Sequence, residues 1–457
     1  LNPPAGQETG GSGRKKLKRW LILIVLLALG TGLTLALWPN RRNLSGWEPT
    51  PPAERRDVFL ELEKTALELT DEELIGQLLV VGLDGTSLHE GTLRRLSELR
   101  PAGVILFGRN IQNPAQLRAL TSGLQEAVTE LGLPGLLVAV DQEGGRVRRL
   151  KHGFTYVPPM ASLPERTDLD GAFVVGRVLG RELAAVGCNW NLAPVVDVLT
   201  NPANPGIGDR AFSGDPDVVA VYGAALADGL NAAGVACCAK HFPGKGEASL
   251  DAHYDLPVIP VDDTHLRNYE WPPFTALLAD NHPARAAMVS HVVIPVLDDA
   301  LPASLSPAAY RALRAEIGFD GPAITDDLEM GAIVEDYAVG GAARMAIAAG
   351  ADLALVCHDG AAMTAARRAL LEALESGEVT REALARKVVR VWALKLALGL
   401  PLPGLADYET AFDDLYTRRG LDPGAARAVR EASPELDVCG SAEHRRELEA
   451  ALGSQGG

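Results

Sequence analysis

The sequence predicts an α/β protein: a (β/α)8 TIM-like barrel preceded by one N-terminal transmembrane helix. Three features lead there. Eight short apolar runs alternate with helix-like segments between residues 57 and 400; strands buried on both faces and separated by helices form parallel βαβ units, and eight such units close a barrel. An open doubly wound sheet is the competing architecture, but no GxGxxG follows the first run. Near the N-terminus, an uncharged stretch from Trp20 to Trp38 follows a basic segment.

That basic segment, residues 1–19, holds Arg14, Lys15, Lys16, Lys18 and Arg19. At 1.5 Å per residue the 20–38 stretch covers ~28 Å, about one hydrocarbon core. Trp20 and Trp38 suit the interfacial belts, and the positive-inside rule keeps the basic flank in the cytoplasm. The expectation is a single-pass anchor in the inner or cytoplasmic membrane, with the catalytic domain on the periplasmic or extracellular side. A cleaved signal peptide shares the basic flank and apolar core, but no A-x-A pattern follows. Residues 39–56, rich in Pro and Arg, read as a linker.

The barrel spans 57–400, and its runs are "QLLVVGL" (77–83), "AGVILF" (102–107), "GLLVAVD" (135–141), "GCNWNLAP" (187–194), "VACCAK" (235–240), "AAMVSH" (286–291), "PAITDD" (322–327) and "DLALVC" (352–357). Between them, Asn113 with Pro114 and Asp215 with Pro216 mark helix starts, and Gly234 marks a stop. Residues 401–457 form a Pro/Gly-punctuated tail to which the sequence assigns no role.

Charge narrows the partners. The 457-residue chain carries a net charge of -16, and its first 50 residues hold seven Lys/Arg against two Glu, leaving 36 Lys/Arg against 57 Asp/Glu beyond them. So acidic a body argues against nucleic acid. The five cysteines form no CxxC pair and read as buried thiols.

In a barrel, chemistry sits at the C-terminal ends of the strands. Asp141 ends the third run, Asp197 follows the fourth, Lys240 and His241 end the fifth, His291 ends the sixth, and Asp326 and Asp327 end the seventh. Together they suggest a shared polar pocket. Each has a plainer reading: Asp141 as a loop cap, Asp327 as a helix cap, His291 as a satisfied structural histidine, Glu143 and Arg146 as a scaffolding pair, Arg210 as an exposed loop charge.

The segment "KHFPGKGEASLDAHYDLP" (240–257) fits three chemistries unequally. As a phosphate loop it fails, lacking the GxxxxGK[ST] spacing and hydroxyl. As a metal site, His241, Asp251, His253 and His291 are the ligand candidates, but no HxH pair accompanies an early strand. As a catalytic loop it fits best. Asp251 and His253, two apart in extended chain, face the same way, so the carboxylate can orient the imidazole as a proton shuttle. Gly244 and Gly246 would let the loop swing.

The ordered motifs "DQEGGRV", "APVVDV", "GDRAF", "KHFPGKG", "DAHYDLP", "PASLSP" and "ITDDLEM" resemble those of the β-N-acetylhexosaminidases of glycoside hydrolase family 3, over residues 69–400. The resemblance implies a retaining exo-glycosidase that releases terminal non-reducing β-linked N-acetylglucosamine from peptidoglycan-derived or related glycans through a covalent intermediate. It implies Asp326 as nucleophile and His253, oriented by Asp251, as acid/base. Asp141, Arg210, Lys240 and His241, with His291 beside them, are the expected substrate-binding residues, and neither metal nor cofactor is expected. The chain departs from the family loop "KHFPGHGD" at Lys245 and Glu247, and carries Ala252 where the family has serine. The alternatives are a β-glucosidase or glycosyl phosphorylase on the same barrel, or a catalytically silent glycan-binding protein.

Overall fold

The computed structural model describes residues 57–453, apart from 280, 281, 283 and 433. The eight apolar runs form one parallel sheet: β1 (Leu79–Gly82), β2 (Gly103–Leu106), β3 (Leu137–Val140), β4 (Trp190–Asn191), β5 (Cys237–Phe242), β6 (Arg285–Val289), β7 (Ala323–Asp327) and β8 (Leu353–Val356). Their order is β4-β3-β2-β1-β8-β7-β6-β5. The two ends of this order meet. Trp190 bridges Ala236, Val195 bridges Lys240, and the Cys238 N–H donates to the Ala193 carbonyl at 2.8 Å. The sheet is therefore a barrel without free edges.

The runs lack alternation because both faces of each strand are covered. Val80, Val104, Val138, Ala287 and Leu353 have no exposed surface; one face fills the barrel interior and the other meets the helices. The helices begin where the sequence signals them. Asn113 accepts a hydrogen bond from the Gln116 N–H at the start of Pro114–Glu130, and Asp215 accepts one from Asp217 at the start of Pro216–Ala232. Cys188, Cys237, Cys238 and Cys357 are buried.

The membrane expectation is corrected. The 20–38 stretch lies outside the described residues, and among those described no helix is long and apolar enough to cross a membrane. The helices Pro114–Glu130, Leu169–Ala185, Pro216–Ala232 and Arg381–Ala397 have 17 residues each. Each is ~25 Å long, short of the roughly 30 Å hydrocarbon core. The described residues thus give no spanning helix to which the single-pass anchor, or the periplasmic or extracellular placement drawn from it, can be assigned.

The tail is part of the barrel body. Helices Tyr408–Arg418, Pro423–Glu431 and Ala442–Leu452 follow the last barrel helix, and Phe412, Leu415, Leu448 and Leu452 join the main core. Its anchor is polar. Buried Glu182 accepts from the Thr155 hydroxyl at 2.6 Å, the Gly440 N–H at 2.8 Å and His444 Nδ1 at 3.2 Å, which satisfies a carboxylate that burial would otherwise penalise.

Candidate active site

The end of β5 organises one side of the site. Lys240 is almost fully buried, and its Nζ lies 2.8 Å from Asp141 Oδ1 and 2.7 Å from Glu143 Oε1. Glu143 also takes a two-pronged contact from Arg210, Nε to Oε2 and Nη2 to Oε1, both at 2.8 Å. Burial opposes the Glu143 charge, but Arg210 and Lys240 hold its carboxyl down to about 2. This is the geometry in which a buried ion pair is held by hydrogen bonds as well as by charge.

His241 turns to the other side. Its Nδ1 lies 2.6 Å from Asp197 Oδ2, and Arg210 Nη2 lies 3.4 Å from its Nε2. Burial, and then the cations Lys245, Arg210 and Lys240, hold the imidazole well below its usual range. A neutral ring between a carboxylate and a guanidinium donates through Nδ1–H and accepts at Nε2. Burial pushes the Asp197 carboxyl up, while Lys245 and the N–H groups of Lys245 and His241 work against that.

Asp326 stands at the end of β7 with its side chain 14 % exposed. Its Oδ1 accepts the Asp327 N–H at 3.0 Å, and Lys245 Nζ lies 3.7 Å from Oδ2. Burial works against its charge, yet Lys245, and after it Lys240, keep the carboxyl below the usual aspartate range. It is therefore ionised at neutral pH. His291 contacts the Ser304 hydroxyl through Nδ1 at 2.7 Å and the Asp327 carbonyl through Nε2 at 2.9 Å. A carbonyl can only accept, so Nε2 carries the proton and both ring nitrogens are engaged. His291 fixes the strand end that bears Asp326.

The loop after β5 packs onto the site. A Cβ on Gly246 would sit 1.6 Å from the Val198 carbonyl, and one on Gly244, whose φ is +111°, would meet the Glu270 carboxyl at 2.2 Å. These glycines are required by close approach, whereas the sequence suggested a swinging hinge. Asn204 Nδ2 donates to the carbonyls of Lys245 and Gly246 at 2.7 and 3.0 Å. Further on, Asp251 Oδ1 lies 2.7 Å from His253 Nδ1 and accepts the His253 N–H at 3.1 Å. The His253 carbonyl accepts the Gly331 N–H at 3.3 Å and the Ala252 carbonyl accepts that of Ala332 at 3.2 Å. The dyad is thereby tied to the turn that follows Asp326. The His253 side chain remains 60 % exposed, open to an incoming ligand.

This arrangement has relatives. The profile of the glycosyl hydrolase family 3 N-terminal domain matches residues 70–394. The chain belongs to glycosyl hydrolase family 3. It is 39% identical over 300 residues to a β-hexosaminidase of Hydrogenovibrio crunogenus, covering 63% of this chain and 82% of that protein. Over 304 residues it is 39% identical to one of Alkalilimnicola ehrlichii, with 65% and 85% covered. Among solved structures, it resembles a family 3 β-N-acetylglucosaminidase from a Paenibacillus species, with a TM-score of 0.71 and 39% identity over 73% of this chain; this chain spans 64% of that one. A family 3 glycosyl hydrolase from Mycobacterium smegmatis aligns with a TM-score of 0.66 and 34% identity, covering 72% of this chain and 98% of that one. The protein is a glycoside hydrolase.

Within this family 3 hydrolase, Asp141 after β3, Lys240 and His241 on β5, Asp326 on β7 and Arg210 from the loop before the helix at Pro216 gather at one end of the barrel, joined by Glu143, Asp197 and Lys245. The sequence pairing of Glu143 with Arg146 is replaced: Arg146 Nε instead meets Asp209 at 3.0 Å. Glu143 could have been found, because it lies two residues beyond Asp141 in extended chain and shares its direction. Among the described residues, no group of three or more His, Cys, Asp or Glu side chains is placed to hold a metal ion; His241, His253 and His291 each turn to a different partner. His358, just beyond β8, was not singled out from the sequence and lies 3.3 Å from Asp327 Oδ2.

Glu270, also unforeseen, lies beneath the loop. It is buried, contacts His265 Nε2 at 3.3 Å through Oε1 and leaves Oε2 without a hydrogen-bond partner. Burial raises its carboxyl from 4.5 to about 7, against the His265 hydrogen bond and with help from Asp197. A carboxyl raised by folding stabilises the fold below its unfolded value of 4.5, and that contribution is lost as pH rises through about 7. Glu270→Gln is therefore expected to stabilise the protein by about 2–3 kcal/mol at pH ~8 and by almost nothing near pH ~4.5. Thermal melts at both pH values check this; an equal gain at each would show that ionisation is not its source.

Proposed function

We propose that this family 3 hydrolase removes terminal non-reducing β-linked N-acetylglucosamine from peptidoglycan-derived or related glycans by double displacement. The observation that carries the reading is the pairing of an ionised strand-end carboxylate, Asp326, with a carboxylate-oriented imidazole, His253, whose backbone is hydrogen-bonded to the turn after that strand. The family likeness to β-hexosaminidases supports the sugar.

In this reading Asp326 attacks the anomeric carbon while the His253 imidazolium gives its proton to the leaving oxygen. A glycosyl ester forms and the glycosidic bond breaks. The now neutral imidazole then takes a proton from water, which attacks the ester and frees Asp326. A histidine thus takes the place of the second carboxyl usual in glycosidases. Asp251 orients the ring and balances its charge. Asp141, Arg210, Lys240 and His241 hold the sugar hydroxyls through charged hydrogen bonds, which orient the ring and reject analogues that leave them unpaired. A strand holds the nucleophile rigidly, while a loop brings the acid/base to the bound sugar.

The test is a panel of aryl glycosides. Turnover of the N-acetyl-β-glucosaminide well above the β-glucoside, unchanged by added phosphate, is expected. Preference for the glucoside, or release only with phosphate, would replace this reading with a β-glucosidase or a phosphorylase. Sugar binding without any turnover would leave a glycan-binding protein.

A further inference from the structure

Lys245 is a buried cation whose place in the site is set by its main chain. Its N–H donates to Asp197 Oδ1 at 2.8 Å, its carbonyl accepts from Asn204 at 2.7 Å, and its Nζ reaches to 3.7 Å from Asp326 Oδ2. It lies on the same loop as Asp251 and His253. We propose that Lys245 is a positioning residue: the loop that carries the acid/base dyad also carries the counter-ion of the Asp326 carboxylate, and its packed backbone holds that ammonium where it keeps the nucleophile ionised. This inference rests on the reading of Asp326 as the nucleophile.

The surrounding charges leave this task to Lys245. Asp326 is faced by Lys245 from the loop, by Lys240 from β5 and by His291 from the end of β6, with the Asp327 N–H on Oδ1. Lys240 is already spent on Asp141 and Glu143. His291 is held neutral, its pKa lowered chiefly by burial, and both its nitrogens are engaged. Lys245 is itself faced by Asp326, Arg210, Asp197 and Lys240, and also by His241 and Asp251. Arg210 is bound to Glu143, and His241 occupies Asp197. The Lys245–Asp326 pair therefore closes the charge pattern of the pocket. Without the Lys245 ammonium the buried carboxyl loses its nearest cation and becomes harder to ionise. In the second half of the reaction Asp326 is the leaving group, and the same cation stabilises the departing carboxylate.

The experiment compares the wild type with Lys245→Met and Lys245→Arg. The kcat/KM acid limb on an aryl N-acetyl-β-glucosaminide is expected to move up by about one to two pH units in Lys245→Met. Lys245→Arg should restore most of that shift, since it keeps the charge. An acid limb unmoved in Lys245→Met, or an arginine variant that behaves like the methionine one, would overturn the proposal. Lys245→Gln, with a polar tip, serves if the methionine variant does not fold. A second readout needs no turnover: a water-soluble carbodiimide modifies a carboxyl when it is protonated, and peptide mapping follows Asp326. Its pH midpoint should rise by the same amount without Lys245, and an unchanged midpoint contradicts the pairing. If the wild type turned over no aryl glycoside, the functional reading would fail while this midpoint still decided the role of Lys245.

Discussion

Asp326→Ala should lower kcat/KM by about 10⁴-fold or more, the scale seen when a covalent nucleophile is removed. Two effects add in the same direction. The glycosyl ester can no longer form, and the pocket is left with Lys245 and Lys240 facing an anomeric centre that gains positive charge in the transition state. Lys245 Nζ, now 3.7 Å from Asp326, would lose its partner and repel that charge. Sugar binding should survive, because Asp141, Glu143, Arg210 and Lys240 hold one another independently of Asp326. Kinetics on an aryl N-acetyl-β-glucosaminide, with a thermal melt to establish folding, makes the comparison. Residual activity within about 100-fold of wild type would remove Asp326 from the nucleophile's role.

His253→Ala should act unevenly. With a poor leaving group, the lost proton donor costs about 10²- to 10⁴-fold, the usual range for general acid catalysis. With an acidic phenol the first step needs no proton, so the ester should form rapidly and accumulate, because no base remains to activate water. An initial burst of phenol is the expected trace. Added azide, an anion that needs no base, should then speed turnover of the good substrate. The exposed imidazole is well placed for such relief, since its removal opens solvent access next to Asp251. Equal losses for good and poor leaving groups, with no burst, would contradict the acid/base assignment.

The barrel was legible because its signals are local. Each strand is a contiguous apolar run, and several helix starts carry their own cap, as Asn113 and Asp215 do. The Asp251 and His253 contact was legible because only Ala252 separates them, but the extended chain expected there is instead a turn, in which the Asp251 carbonyl accepts the Tyr254 N–H at 3.0 Å. What escaped depends on distant pairing. Glu182 meets His444 across 262 residues, so nothing in the tail's own pattern announced that it docks on the barrel. Glu143 chooses Arg210 over nearby Arg146 because the segment after β3 and the loop before the helix at Pro216 converge there. Glu270 looks like an ordinary surface acid, and only the packing of Gly244 against it reveals its burial. The 20–38 stretch lies outside the described residues, among which no helix is long and apolar enough to cross a membrane.

Lys245 belongs to the same class of long-range effects. Its departure from the family loop was visible in the sequence, but its partner was not, because Asp326 lies on a strand two βα units further along the barrel. The ion pair places that substitution beside the proposed nucleophile.

The most direct test of the account is the configuration of the first sugar released. Proton NMR of a fresh reaction, followed before the anomers equilibrate, distinguishes one displacement from two. Attack by Asp326 and then by water inverts the anomeric carbon twice, so the account predicts β-N-acetylglucosamine as the first product. Initial release of the α anomer would mean a single displacement by water, and Asp326 could then be no covalent nucleophile.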